Sequence, residues 1–315
     1  MNKNLSILAV IIPCYNEEAV LEKSHQVFLS ILNEMKEQSL ISKDSYLCYV
    51  NDGSKDDTWN IIQKFISQDN SVHGISFSKN FGHQSAMLAG LTTCSADVFI
   101  TIDADMQEDP YAMIEMIKKY NEGYDIVYGV RTARKDKFLK KYLSNVFYKI
   151  MSFLGSNTIS NASEYRLISK RVVSEIKKYT EKNIYLRGII ASIGFPYTVV
   201  YYKRNERIAG ETKYPFSKLV AAALNGITTT SIKPLKLTFL LFFISSIISL
   251  MFLCITILFF VINNNFKYYC LISFLISFFS SIQLFALTII GEYISKIFIN
   301  TQNRPSFIID EYKEK

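Results

Sequence analysis

The chain has 315 residues, with 35 Lys and Arg against 28 Asp and Glu, for a formal net charge of +7. That length allows one or two domains, and 49% hydrophobic with 20% charged residues is the balance of a globular protein. The basic excess suits anionic lipid, phosphate ligands or nucleic acid, while Cys14, Cys48, Cys94, Cys254 and Cys270 lack any CxxC or Cys/His spacing, which speaks against structural zinc and a disulfide framework.

Ser6–Pro13 reads as a first strand closed by its proline, and Tyr15-Asn-Glu-Glu18 follows into a helix of about 20 residues, where acids complement the helix dipole. Tyr46–Val50 is a second strand, ending in Asn51-Asp-Gly-Ser54. Asp56, Asp57 and Thr58 are capping candidates for the next helix. Val72–Ser76 is a third strand, followed by Lys79-Asn-Phe-Gly82 and a helix from about Gln84 to Thr93. Asp97–Ile102 is a fourth, with Asp103, Asp105 and Gln107 just beyond it, and Pro110 opens another helix. Asp125–Val130 is a fifth and ends at Arg131. Strands alternating with helices predict a doubly wound, mostly parallel α/β sheet. In such sheets ligands bind outside the carboxyl ends of the strands. Pro13–Glu17, Asn51–Ser54 and Asp103–Gln107 all fall there, and two carboxylates one residue apart suit a divalent cation on a diphosphate. No GxGxxG or GxxxxGK[ST] occurs, so phosphate must be neutralised by a metal and basic side chains rather than by a glycine cradle.

After Arg131 the pattern changes. Lys135–Lys141 is basic, and Phe138–Phe153 has apolar residues at helical spacing, as in a helix at a membrane surface. Asn161–Leu167 puts Glu164 and Arg166 two residues apart in an extended segment, where both face one side. Arg207–Lys213 leads to an apolar-rich helix over Tyr214–Ser231. No charged residue occurs from Leu237 to Ile262 or from Tyr268 to Ile290. Each run exceeds the ~20 residues a transmembrane helix needs. The short link Asn263–Lys267 makes them a hairpin. Lys233, Lys236, Lys296 and Arg304 flank its outer ends, which places both termini in the cytosol. With these spans, lipid and phosphates are better partners for the basic charge than nucleic acid. Leu5–Ile12 is too short for a signal peptide. The expected organisation is a catalytic domain over 1–212, an interfacial helix over 213–234, a hairpin over 235–294 and a cytosolic tail over 295–315.

The motifs PxYNEE, VNDGSxDxT, FSxNFGxxxA, DADxQ, YGVR, xYRL and GETKYP follow in this order from Pro13 to Pro215, and the hairpin of apolar runs comes after them. This order is similar to that of the bacterial polyprenyl-phosphate glycosyltransferases, family 2 enzymes of GT-A fold related to dolichyl-phosphate mannose synthase. The resemblance implies a membrane-anchored inverting enzyme of the bacterial cytoplasmic membrane that moves glucose or N-acetylglucosamine from a UDP-sugar to undecaprenyl phosphate for cell-envelope glycans. It implies a homotetramer. It implies that Pro13, Tyr15, Glu17 and Asp52 line the nucleoside pocket, and that Asp103, Asp105 and Gln107 surround Mg²⁺ or Mn²⁺, with Asp105 catalytic. By the same resemblance Arg131, Arg166 and Lys213 bind phosphate, for which the planar Arg fork is suited. The family usually has Asp where this chain has Glu164. An acceptor that is already a phosphate monoester needs orientation more than a base. Glu164 is therefore either a catalytic group or one half of an ion pair with Arg166 or Lys170.

Other readings are a membrane-bound sugar-nucleotide sensor or scaffold, and a polysaccharide synthase. The QxxRW motif expected of a synthase is absent, since the single Trp is Trp59.

Overall fold

A computed structural model describes residues 5–132, 162–179, 185–203, 244, 247 and 266–314. Lys213, the basic stretch 135–153, the segment 214–231 and all but Ile244 and Ile247 of the first apolar run lie outside the described residues. These residues fall into two compact units, one holding 5–132, 162–179, 185–203 and 304–314, the other holding 244, 247 and 266–303.

The first unit is a GT-A-like α/β fold. Strands β1 (Leu8–Cys14), β2 (Tyr46–Asn51), β3 (Val72–Phe77) and β4 (Val98–Thr101) alternate with helices α1 (Glu18–Glu37), α2 (Thr58–Gln68) and α3 (His83–Thr93). Next come α4 (Ala112–Asn121), β5 (Ile126–Arg131), β6 (Ala162–Ser169), α5 (Lys170–Ile176), α6 (Leu186–Ile193) and β7 (Tyr197–Tyr202). The expected elements recur with ends shifted by a few residues; β1 runs one residue past Pro13. The strand order is β7-β5-β6-β4-β1-β2-β3-β8, with β8 spanning Ile309–Lys313.

Strands β4, β1, β2 and β3 are parallel neighbours. Strand β6 runs antiparallel between β4 and β5, so the fifth expected strand does not adjoin the fourth. The alternation of side chains across the pleat explains why these strands are apolar throughout. Leu8, Val10 and Ile12 pack with Phe28, Ile31 and Leu32 of α1 and Met113 and Met116 of α4. Ala9 and Ile11 face the opposite layer, with Ala86, Met87 and Leu91 of α3 and Ile189 and Ile190 of α6. The α3 backbone lies so close to β1 that a Cβ at Gly90 would come within 2.3 Å of Ile11 Cγ2.

The stretch 295–315, expected as a tail, contains the end of a helix and the strand β8, which pairs antiparallel with β3. Phe307 stacks on Phe77 with ring centroids 5.3 Å apart, and the Ser78 N–H donates to the Ile308 carbonyl at 3.2 Å. Without β8 the outer edge of β3 would present unpaired backbone groups, a template for aggregation. Replacing Phe307 by Ala is expected to remove about 1 kcal/mol for the aromatic pair. Thermal unfolding of the detergent-solubilised chain should show a melting point lowered by a few degrees.

The second unit contains α7 (Phe266–Thr301), 36 residues long, about 54 Å at 1.5 Å per residue. Its segment Phe278–Thr301 is apolar and almost none of it is buried. Among the described residues this is the one helix long and apolar enough to cross a membrane.

Candidate active site

The carboxyl ends of β4, β1 and β2 lie side by side, with Ile11 opposite Thr101 and Cys14 opposite Asn51. The three polar clusters therefore share one rim, as expected. The loop after β1 is tied to the loop after β2. The Asn16 N–H donates to Ser54 Oγ at 3.0 Å, and Asn16 Oδ1 accepts the Lys55 N–H at 2.8 Å. The Glu17 N–H donates to Thr58 Oγ1 at 2.9 Å, while Glu18 Oε2 accepts the Asp57 N–H at 3.0 Å. Asn16 itself has φ of 54°, a left-handed conformation that Asn tolerates better than most residues. Tyr15 is exposed beside these loops, Pro13 pairs with Val50, and Glu17 is the N-cap residue of α1.

Asp52 is buried, and its two oxygens accept the backbone N–H groups of Phe81 at 2.7 Å and of Gly82 at 2.9 Å. Burial raises its carboxyl pKa, and those two N–H groups oppose the rise. The expected nucleoside residue thus also anchors the loop before α3. Gly53 has φ of +62°, and a Cβ there would meet the Lys79 carbonyl carbon at 2.3 Å, so only glycine lets these two loops touch.

At the end of β4 the chain turns through Met106, whose φ is 58°, and the Gln107 N–H closes on Asp105 Oδ1 at 3.1 Å. This tight turn gathers Asp103, Asp105 and Glu108, which each offer an oxygen within 4.8 Å of the others. His83, at the start of α3, puts Nε2 3.4 Å from Asp103 Oδ1. Burial, joined by the charges of Glu108, Asp105 and Glu164, pushes the Asp103 carboxyl up to about 6. Like charges this close favour a bound cation. Hard carboxylate oxygens are the donor set of Mg²⁺ or Mn²⁺ rather than of thiolate-seeking metals. The residues present therefore fit a divalent ion. The Gln107 backbone N–H closes the turn, and Glu108 is the third carboxylate of the group.

A second charged group lies on the adjoining antiparallel strand. Thr101 is opposite Arg166, and Thr101 Oγ1 donates to the Glu164 carbonyl. The Glu164 carboxylate accepts from Arg166 Nη2 and lies 3.4 Å from Arg187 Nη2, on α6. Burial alone would raise its pKa, but the Arg166 and Arg187 guanidiniums, with His83 and the Gln84 amide, bring it below the ordinary carboxylate value. Lys170, the other partner considered, lies instead 3.9 Å from Asp97. Arg131 donates from Nη2 to Glu108 Oε1 at 2.8 Å and from Nε to the Tyr202 hydroxyl at 3.3 Å.

Glu108, His83 and Arg187 were not among the residues expected from sequence. Each reaches the rim from a different element, and only the Glu108 carboxylate, adjacent to Gln107, carried any local signal. The arrangement can hold a cation beside a diphosphate and present guanidiniums to a second anion.

The profile of glycosyl transferase family 2 matches residues 9–177. A Bacillus subtilis (strain 168) protein described as uncharacterized glycosyltransferase YkoT is 39% identical over 98% of this chain and 93% of its own length. The bactoprenol glucosyl transferase of Shigella phage SfV is 34% identical over 98% of this chain and 99% of its own. Among solved structures, glucosyl-3-phosphoglycerate synthase from Mycobacterium tuberculosis matches 71% of this chain and 77% of its own at 18% identity, with a TM-score of 0.48. With that profile spanning the strands that build the rim, and near-full-length relatives above 30% identity, the chain belongs to glycosyl transferase family 2.

Proposed function

We propose that this glycosyltransferase moves one sugar, glucose or N-acetylglucosamine, from a UDP-sugar to undecaprenyl phosphate at the cytosolic face of the bacterial cytoplasmic membrane. The observation that carries the reading is the pairing, on one rim, of a three-carboxylate group with the arginines Arg131, Arg166 and Arg187. One group suits a cation on a nucleoside diphosphate, and the other suits a phosphate acceptor. A relative named bactoprenol glucosyl transferase, matched over nearly its full length, supports a polyprenyl acceptor.

In this reading Pro13, Tyr15, Glu17 and Asp52 line the nucleoside pocket. Asp103 and Asp105, with Gln107 and Glu108, hold Mg²⁺ or Mn²⁺, which when bound offsets the negative charge that builds on the leaving diphosphate. Arg131, Arg166 and Lys213 bind phosphate oxygens. An oxygen of the lipid phosphate attacks the anomeric carbon, the bond from that carbon to the UDP oxygen breaks, and configuration inverts. The attacking oxygen is already anionic at neutral pH, so no proton has to be removed from it. Glu164, held ionised between two guanidiniums, orients them and acts by positioning rather than as a base.

Membrane anchoring through two spans is supported by the place of β8 in the sheet. Residues 309–313 join the same sheet as β1, so a chain that crosses a bilayer through 278–301 has to cross it a second time before it can return. In this reading the uncharged run 237–262, long enough by sequence, is assigned to that crossing.

The test is a screen of UDP-sugars with membranes containing the protein, undecaprenyl phosphate and Mg²⁺ or Mn²⁺. Turnover of UDP-glucose or UDP-N-acetylglucosamine, lost when the lipid is omitted, is the expected result. Tight binding of UDP-sugars with no turnover would replace this reading with that of a sensor.

A further inference from the structure

Glu108 combines three features. It is 2% exposed. One of its oxygens accepts from Arg131 Nη2 at 2.8 Å, while Oε2 is buried without a hydrogen-bond partner. It also stands with Asp103 and Asp105 inside a 4.8 Å group of oxygens. A buried carboxylate oxygen without a partner is costly unless a ligand completes it. The ligand suited to an oxygen beside two further carboxylates is a cation.

We infer that Glu108 is a bridging residue: through Oε2 it is a third carboxylate ligand of the divalent ion, and through Oε1 it fixes Arg131, so that cation binding and the position of Arg131 are linked. This rests on the cation reading above and adds to it a residue and a coupling. The same carboxylate serves the metal on one side and a phosphate-binding guanidinium on the other. Arg131 is held at Nε by the Tyr202 hydroxyl at 3.3 Å, so its fork has a fixed hinge and a fixed end. Arg131 keeps 35% of its side-chain surface, so an anion in the site can still reach it. Because the cation and an anion on Arg131 are linked through Glu108, each should alter the affinity of the other by the same factor.

The experiment is a Mn²⁺ titration of the full detergent-solubilised chain, read by the electron paramagnetic resonance of free Mn²⁺, with no sugar nucleotide present. Glu108→Gln keeps an oxygen for Arg131 but removes the charge, and is expected to weaken Mn²⁺ binding about tenfold to a hundredfold. Arg131→Met frees the whole Glu108 carboxylate and removes a neighbouring positive charge, and is expected to tighten Mn²⁺ binding several-fold. Wild-type affinity in Glu108→Gln overturns the ligand role, and wild-type affinity in Arg131→Met overturns the linkage. Should Glu108→Gln fail to fold by circular dichroism, Glu108→Asp, which draws the carboxylate back by one methylene, is titrated in its place and judged by the same criterion. Asp105→Asn separates the two levels: if it too binds Mn²⁺ normally, the cation site itself is elsewhere and the reading beneath this inference fails.

Discussion

Asp105→Asn is expected to lose sugar transfer by about a thousandfold or more while membrane insertion and melting temperature stay as in the wild type. The substitution keeps the size of the side chain and one oxygen for the Gln107 N–H, which closes the turn at 3.1 Å. What it removes is one of three charges gathered within 4.8 Å. Metal stabilisation of a leaving group is worth several kcal/mol, and ~4 kcal/mol corresponds to about a thousandfold in rate. The measurement is initial-rate transfer of labelled sugar in membranes with saturating Mg²⁺ or Mn²⁺, beside a thermal melt of the purified chain. Turnover like that of the wild type would show that transfer needs no metal held by Asp105. Loss of turnover together with loss of folding would show that the turn, and not the charge, is what Asp105 supplies.

The second large effect is expected at Glu164. Its carboxylate is the shared counter-ion of Arg166, which is 2% exposed, and of Arg187. Arg166 Nη1 and Arg187 Nε are already buried without partners. Glu164→Ala leaves two guanidiniums facing each other with nothing between them. Breaking a buried pair from one side costs about 3–5 kcal/mol, so the variant should melt far below the wild type and show little transfer. Glu164→Asp restores the charge, with a reach shorter by one methylene, and should recover most of the stability. The pH dependence has a definite sign. The folded-state pKa of Glu164 is depressed, so its contribution to stability is present above the ordinary glutamate value and is lost as pH falls through the lower folded value. Between pH 6 and 8 the kcat profile should therefore carry no ionisation that disappears in Glu164→Gln. An ionisation in that window, absent from the variant, would restore Glu164 as a base.

Much of the rim was legible in the residues because it follows from local patterns. The apolar runs that became β1, β2, β3 and β4 are bounded by polar clusters, and helices between them force the strands parallel, which puts Asn16, Asp52 and Asp103 at one edge. Glu164 and Arg166 were readable as a same-side pair because the strand period is two. The direction of β6 was not readable, because alternation and β-propensity are the same whichever way a strand runs; its placement between β4 and β5 is decided by packing. The strand β8 was hidden in a short charged stretch, where Ile309 and Tyr312 alone do not distinguish a strand from a loop. Glu108 and Arg131 are 23 residues apart, and Arg187 follows Glu164 by another stretch of chain with a helix in it. Such contacts exist only once the sheet has formed, and no spacing rule reports them. Gln107 illustrates a local case. Its backbone N–H closes the turn on Asp105, which brings the neighbouring Glu108 carboxylate into the acidic group, and no spacing in the motif reports that.

In the proposed reaction the phosphate of a bilayer lipid attacks the donor sugar directly. The most direct measurement is the chemical form of the labelled product made from an α-linked UDP-sugar by membranes supplied with undecaprenyl phosphate and a divalent cation. The expected product is an organic-soluble lipid carrying a single sugar, joined through one phosphate in β linkage and released by mild acid. An α-linked product, a labelled polymer, or a label that stays on UDP while bound to the protein would contradict it.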